Sequence, residues 1–181
     1  VAVVFTQQPR IRTPEEVVAS LFEGERVEGW IRTQPEMKRL WASLAKDRQS
    51  VLKEVAAEAL ARDPDHSKDW GGLTDGERSL QIGLKKHLPG MILILDLIHA
   101  LEYLWDAAHA LHPEGSPEAT AWVRQRALMV LRGKVSQVVK GMRQIATKRR
   151  MRGMKRKAML KSAAYLYRNR SRMRYDEYLA K

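Results

Sequence analysis

Two short apolar runs, each closed by an aspartate and each followed by a helical pattern, constrain this chain most. Gly71-Gly72-Leu73-Thr74 runs into Asp75, and Met91–Leu95 runs into Asp96. The five apolar residues behind Pro89-Gly90 are too few for a helix and well bounded for a buried strand. Beyond Asp96, Leu97, Leu101, Leu104 and Ala108 recur at i, i+4, i+7 and i+11, which predicts a helix. The order is therefore strand, acid, helix, turn, strand, acid, helix. In open α/β sheets ligands sit beyond the carboxyl ends of the strands, where both carboxylates would lie. Paired carboxylates offer the hard oxygen ligands that Mg²⁺ or Mn²⁺ takes. The same residues also have a local reading. Thr74 and Glu77 have the spacing of a capping box, which would make Asp75 a first-turn acid. Asp96 is likewise placed to cap its helix.

Around this centre the chain is mostly helical. Val1–Thr6 is apolar and β-branched, a strand candidate. Thr13-Pro14-Glu15-Glu16 starts a short helix, with an N-cap residue, Pro at the first helical position and acids in the first turn. A polar connection at 23–34 leads to a long helix expected from Gln34 to Ala61, with Met37, Leu40, Trp41, Leu44, Val51, Leu52, Val55 and Ala59 in its stripe. Trp41 reads as a packing residue there. Asp65, His66 and Asp69 crowd one loop, but adjacency does not supply convergent ligand geometry. Further helices are expected at 97–111, 117–132 and 134–147, and a helical spacing covers Met159–Tyr167. No internal repeat is evident.

Charge separates the ends of the chain. Residues 148–174 hold 12 Lys/Arg and no Asp or Glu, so the remaining 21 basic residues balance the 21 acidic ones. The net charge of +12 is thus one C-terminal block, which points to a polyanion and most simply to nucleic acid. Arg149, Arg150, Arg152, Lys155, Arg156, Lys157, Arg168 and Arg170 are the expected phosphate contacts. Tyr165 and Tyr167 interleave with Arg168 and Arg170, as in surfaces that stack bases and hold phosphates, and helix packing would produce the same tyrosines. A solvated basic face is the plain alternative. The absence of Cys excludes disulfides and Cys-ligated zinc. No apolar run approaches the roughly 20 residues of a membrane span. Nothing in Val1–Arg10 reads as a signal peptide. A cytoplasmic protein without a membrane partner is expected.

Longer motifs sharpen this. L-T-D-G-E-R-S-L-Q at 73–81 and L-P-G-M-I-L-I-L-D-L-I-H-A-L-E-Y-L-W-D-A-A at 88–108 resemble the core of bacterial insertion-sequence transposases of the Kra type. These are DDE enzymes allied to the Mutator-like group. H-P-E-G-S-P-E-A-T-A-W-V at 112–123, N-R-S-R-M-R-Y-D-E-Y-L at 169–179 and the stretch from Val4 to Phe22 extend the likeness over nearly the whole chain. The resemblance implies an α/β fold: part of a ribonuclease H-like core with few strands, at about 1–7, 71–74 and 91–95. Predominantly helical content and a helical C-terminal region go with it. Residues 1–112 would be the partial core, and 113–181 a helical insertion or extension ending in the basic block.

The resemblance also implies that Asp75 is the second acid of the triad and that Val1–Thr6 is the third strand. Asp96-Leu97-Ile98-His99 is similar to a C/D-x-x-H element. That makes Asp96 a second metal candidate, and His99 a residue that orients a carboxylate, touches DNA or simply packs. The implied chemistry is Mg²⁺-dependent strand cleavage and strand transfer, on transposon ends and target DNA, with self-association left open. The first Asp and the last Glu of the family triad are not among these 181 residues. One sure triad acid cannot hold two ions about 3.5–4 Å apart, so the chain is expected to be inactive alone. The alternative is a non-catalytic helical DNA-binding protein that uses residues 148–174.

Overall fold

A computed structural model describes residues 1–22 and 33–181. The polar connection expected at 23–34 lies mostly outside the described residues. The protein is mixed α/β and mainly helical, with its few strands in two small sheets. It divides into two compact units, Val1–Pro9 with Ile31–Ile94 and Arg10–Trp30 with Leu95–Lys181.

In the first unit, β1 (Ala2–Thr6) pairs antiparallel with β2 (Glu36–Trp41), Ala2 opposite Trp41 and Val3 opposite Leu40. The register shifts between Val4 and Thr6, and Met37 opposite them takes a left-handed φ of 48°. The single helix expected over Gln34–Ala61 is therefore wrong in its first half. The chain forms β2, turns, and only then forms α2 (Arg48–Arg62). Two side chains explain the break. Ser43 Oγ accepts from the amides of Ala45 and Lys46 at 3.1 and 2.9 Å. Asp47 then caps α2, its Oδ1 accepting from Ser50 N at 2.9 Å. Both take amides that a continuous helix would need. The spacing of Met37, Leu40 and Trp41 is helical, and pairing with β1 overrides it.

β3 (Gly71–Thr74) and β4 (Ile92–Leu95) form the second sheet, joined through α3 (Arg78–His87). The strands expected at 1–7, 71–74 and 91–95 thus appear almost residue for residue. Leu52, Val55 and Ala56 of α2 pack with Leu84, Leu88 and Leu93, flanked by Ala2, Val4, Trp41 and Trp70. Gly83 permits the α2–α3 approach, since a Cβ there would lie 2.5 Å from Leu52 Cδ1.

The second unit is helical. Thr13 and Glu16 form a reciprocal capping box at the start of α1 (Pro14–Phe22), Thr13 N donating to Glu16 Oε2 at 2.7 Å and Glu16 N to Thr13 Oγ1 at 3.2 Å. Asp96 caps α4 (Leu97–His109), and Ser116 caps α5 (Pro117–Leu131) with Pro117 in the first turn. α6 (Val135–Lys148) and α7 (Gly153–Asn169) follow, then a short 3-10 turn (Arg170–Arg172) and α8 (Tyr175–Leu179). Leu104, Leu131, Met142, Met159, Leu166 and Met173 are fully buried. α4 packs on both α5 and α7, so it belongs with the helices that follow it.

The C-terminal segment is tied back into this unit. Arg12 N donates to Leu179 O at 2.9 Å. The buried Tyr175 hydroxyl donates to Leu95 O at 2.8 Å, across 80 residues. Burial, followed by the charge of Asp96, raises the Tyr175 phenol and keeps it a donor. Tyr175→Phe removes this bond from the buried Leu95 carbonyl. The expected loss is about 1–3 kcal/mol, and a urea melt followed by circular dichroism measures it.

Candidate nucleic-acid interface

The densest part of the basic block lies on the turn between α6 and α7. At the end of α6, Arg150 N donates to Thr147 O and Met151 N to Ala146 O, each at 3.0 Å. This is a Schellman closure, whose left-handed position normally takes Gly. Arg150 occupies it at φ 48°. The end of α5 uses the same closure with Gly133 at φ 71°, Gly133 N donating to Val130 O and Lys134 N to Met129 O. The chain therefore ends two successive helices in one way and keeps an arginine where glycine costs less strain.

Lys148, Arg149, Arg150, Arg152, Lys155, Arg156 and Lys157 are all exposed. Among the described residues none of them meets an acid; Arg156 Nη1 only approaches Ala146 O at 3.4 Å. The helix dipole accounts for cations at the end of α6. It does not account for Lys155, Arg156 and Lys157, which sit in the first turns of α7 where the dipole favours acids. Their charge is unfavourable to the helix start. Arg168 and Arg170 are exposed too, but lie at the far end of α7, about 20 Å along the helix from Lys155. The expected contacts therefore form two clusters.

The expected base-stacking pair does not exist. Tyr165 is buried and stacked on Tyr103, centroids 3.6 Å apart at 14°, because its side of α7 faces α4. Tyr167 is exposed, but arginines lie over its ring.

The carboxylates have local partners. Asp75 is half-buried, and its Oδ1 accepts from Glu77 N at 2.8 Å. The capping box expected from Thr74 and Glu77 does not form: Thr74 closes β3, and Glu77 is the N-cap residue of α3 without a side-chain cap bond. The Glu77 carboxylate instead accepts from Ser79 Oγ and Arg48 Nη1, each at 2.5 Å, and these bonds hold it below the usual carboxylate range. In the second unit Asp96 Oδ1 accepts from Ile98 N at 3.0 Å, and Oδ2 lies 3.7 Å from His99 Nδ1. The D-x-x-H spacing thus brings acid and imidazole together on one turn, and His99 Nδ1 is buried without a hydrogen-bond partner. Asp75 and Asp96 carry oxygen ligands of the kind Mg²⁺ takes. Among the described residues, however, no three His, Asp or Glu converge to hold an ion. Nor, among the described residues, is any helix long and apolar enough to cross a membrane. Comparison with family models, curated proteins and solved structures finds no match for this chain.

The most strongly held acid is one the sequence does not single out. Asp63, 4 % exposed, closes α2. It accepts from Ser67 N and Oγ at 2.9 and 2.7 Å, from Lys68 N at 3.0 Å and from Trp70 Nε1 at 2.7 Å. Burial pushes its carboxyl up, but these four bonds outweigh burial and hold it far below the usual range. The only sequence signal is Asp63-Pro64-Asp65 as a helix stop. Because the folded carboxyl is depressed, its stabilisation is present above the unfolded value of about 3.9 and lost as pH falls below it. Urea melts of the first unit, followed by tryptophan fluorescence, are expected to weaken across that acid range. Asp63→Asn is expected to be less stable at neutral pH and to flatten the acid dependence.

Proposed function

We propose that this chain is part of a bacterial insertion-sequence transposase of the DDE type and holds DNA on its α6–α7 turn. The observation that supports DNA holding is the exposed, acid-free turn, with Arg150 kept in a left-handed conformation at its centre. A helix-stabilising role for the same charges conflicts with Lys155–Lys157 at the start of α7. The resemblance of residues 73–81, 88–108 and 169–179 supplies the reaction: Mg²⁺-dependent strand cleavage followed by strand transfer into target DNA.

On this reading the first unit belongs to a ribonuclease H-like core, with β1 as its third strand and β3 leading into Asp75. The order β3, Asp75, α3, β4, Asp96, α4 supports it. Asp75 in the first unit and Asp96 in the second are each a candidate Mg²⁺ ligand, and Mg²⁺ would supply activation of the attacking oxygen and stabilisation of the leaving one. The other acids of the triad are not among these 181 residues, so this chain alone is proposed to bind without cutting.

Replacing Arg149, Arg150, Arg152, Lys155, Arg156 and Lys157 by Gln tests the binding claim. Affinity for a DNA duplex is expected to drop, and its log–log salt slope to flatten by about 0.9 for each phosphate the variant no longer neutralises. Asp75→Asn and Asp96→Asn are expected to leave binding unchanged. Duplex affinity indifferent to loss of the six charges would rule the interface out.

A further inference from the structure

The turn leaves Arg168, Arg170 and the Tyr167 ring unexplained. Tyr167 is 42 % exposed near the end of α7. The Arg143 guanidinium, from α6, lies 5.3 Å from its ring centroid, and that of Arg170, from the 3-10 turn, lies 4.1 Å from it. Arg170 Nη1 also donates to Tyr167 O at 2.8 Å. Three elements thus converge on one ring.

Neither arginine meets an acid among the described residues. Of the nearby acids, Glu177 is paired with Arg174. Arg170 lines a cavity of about 190 Å³ together with Ser136, Arg174, Asp176 and Glu177. Glu177 Oε1 accepts from Arg174 Nε at 2.6 Å. The Asp176 carboxylate lies against Gly133, where an added Cβ would come within 2.6 Å of Oδ2.

Two guanidiniums beside one exposed ring concentrate positive charge at that point of the surface. The ring and the Tyr167 carbonyl hold them in place before any ligand arrives, so little side-chain entropy remains to be lost on binding. A guanidinium fork matches a phosphate with two parallel hydrogen bonds. We propose that Arg143, Tyr167 and Arg170 form a second phosphate-binding site, taking the backbone of the same DNA duplex that the α6–α7 turn holds. This deepens the DNA-holding reading and rests on it. Lys155 and Tyr167 are about 18 Å apart along α7, the span of about five phosphates on one strand.

The arginines beside the ring also bear on the form of DNA. Proteins that hold single strands without sequence preference stack bases on open aromatic faces. Here arginines lie over the Tyr167 ring, and Tyr165 is stacked inside on Tyr103. What the surface offers is phosphate contact, which fits a duplex.

The test is fluorescence anisotropy of the full 181-residue chain with a labelled duplex of about 20 base pairs and with either strand alone, over a range of salt. The expected result is tighter binding to the duplex. Arg143→Gln with Arg170→Gln is expected to flatten the duplex salt slope by about 0.9, the equivalent of the one phosphate this site takes. Tyr167→Leu is expected to weaken binding while keeping the slope, since charge is retained and only its ordering is lost. Circular dichroism melts of each variant check the fold, these side chains being exposed. If the turn variant loses affinity while the double arginine variant keeps the parent slope, the second site is wrong and the DNA-holding reading stands. If both keep it, the DNA-holding reading itself has failed. Single strands bound more tightly than the duplex, with that preference abolished by Tyr167→Leu, would make the ring a stacking platform and overturn the proposal.

Discussion

The apolar seam between α6 and α7 is the constraint on which the second unit depends. Val138, Val139, Met142 and Ala146 on one helix, and Met159, Ala163 and Leu166 on the other, are all buried. Burying seven such side chains leaves the Lys and Arg between them only the outer faces, because an unpaired charge in that seam would lose its hydration. The basic surface is therefore a consequence of the packing. Its strength comes from composition, as no acid lies within residues 148–174 to neutralise it.

The two helix ends that bracket α6 show where the chain departs from what stability alone favours. Gly133 and Arg150 occupy equivalent left-handed positions in equivalent closures. Glycine adopts that conformation without strain, whereas arginine crowds its Cβ. Local strain of this kind persists where the surroundings hold it and where the side chain has a use. At Gly133 a side chain is also excluded by the Asp176 carboxylate, so glycine there serves packing. Arg150 has no such neighbour, and the turn around it is otherwise basic.

The C-terminal motif does different work from what its sequence suggests. N-R-S-R-M-R-Y-D-E-Y-L reads as more basic block, yet Asn169, Arg172, Met173 and Tyr175 are buried. Asn169 Nδ2 donates to Tyr165 O at 3.0 Å, Arg172 Nη2 donates to Asn169 Oδ1 at 2.6 Å, and Tyr175 reaches the carbonyl of Leu95, the residue before Asp96. One of the twelve basic residues of the block is thus structural, and the segment carrying it fixes the strand end that leads into Asp96.

Local signals were legible wherever a single element decided the outcome. The strand–acid–helix order around Asp75 and Asp96, the caps at Thr13, Asp96 and Ser116, and the helices after Asp96 follow from spacing and capping chemistry within a few residues. The exposed cations of the turn were legible for the same reason, since charge density needs no partner to be read. What failed depended on partners distant in sequence. Met37, Leu40 and Trp41 have helical spacing and became a strand because Ala2–Thr6 lies alongside. Tyr165 has the spacing of a surface aromatic and went inside because Tyr103 meets it. Asp63 does stop α2 as its sequence suggests, and its added role as the hub of a loop comes from Ser67 and Trp70, which fold back to it within seven residues. Arg143 stood outside the basic block, and only the pairing of α6 with α7 brings it to Tyr167. The sequence by itself determined composition, capping and periodicity, which act within a few residues. The tertiary structure decided which side chains are covered and which charges share a neighbour, because burial and pairing belong to surfaces that chain separation does not encode.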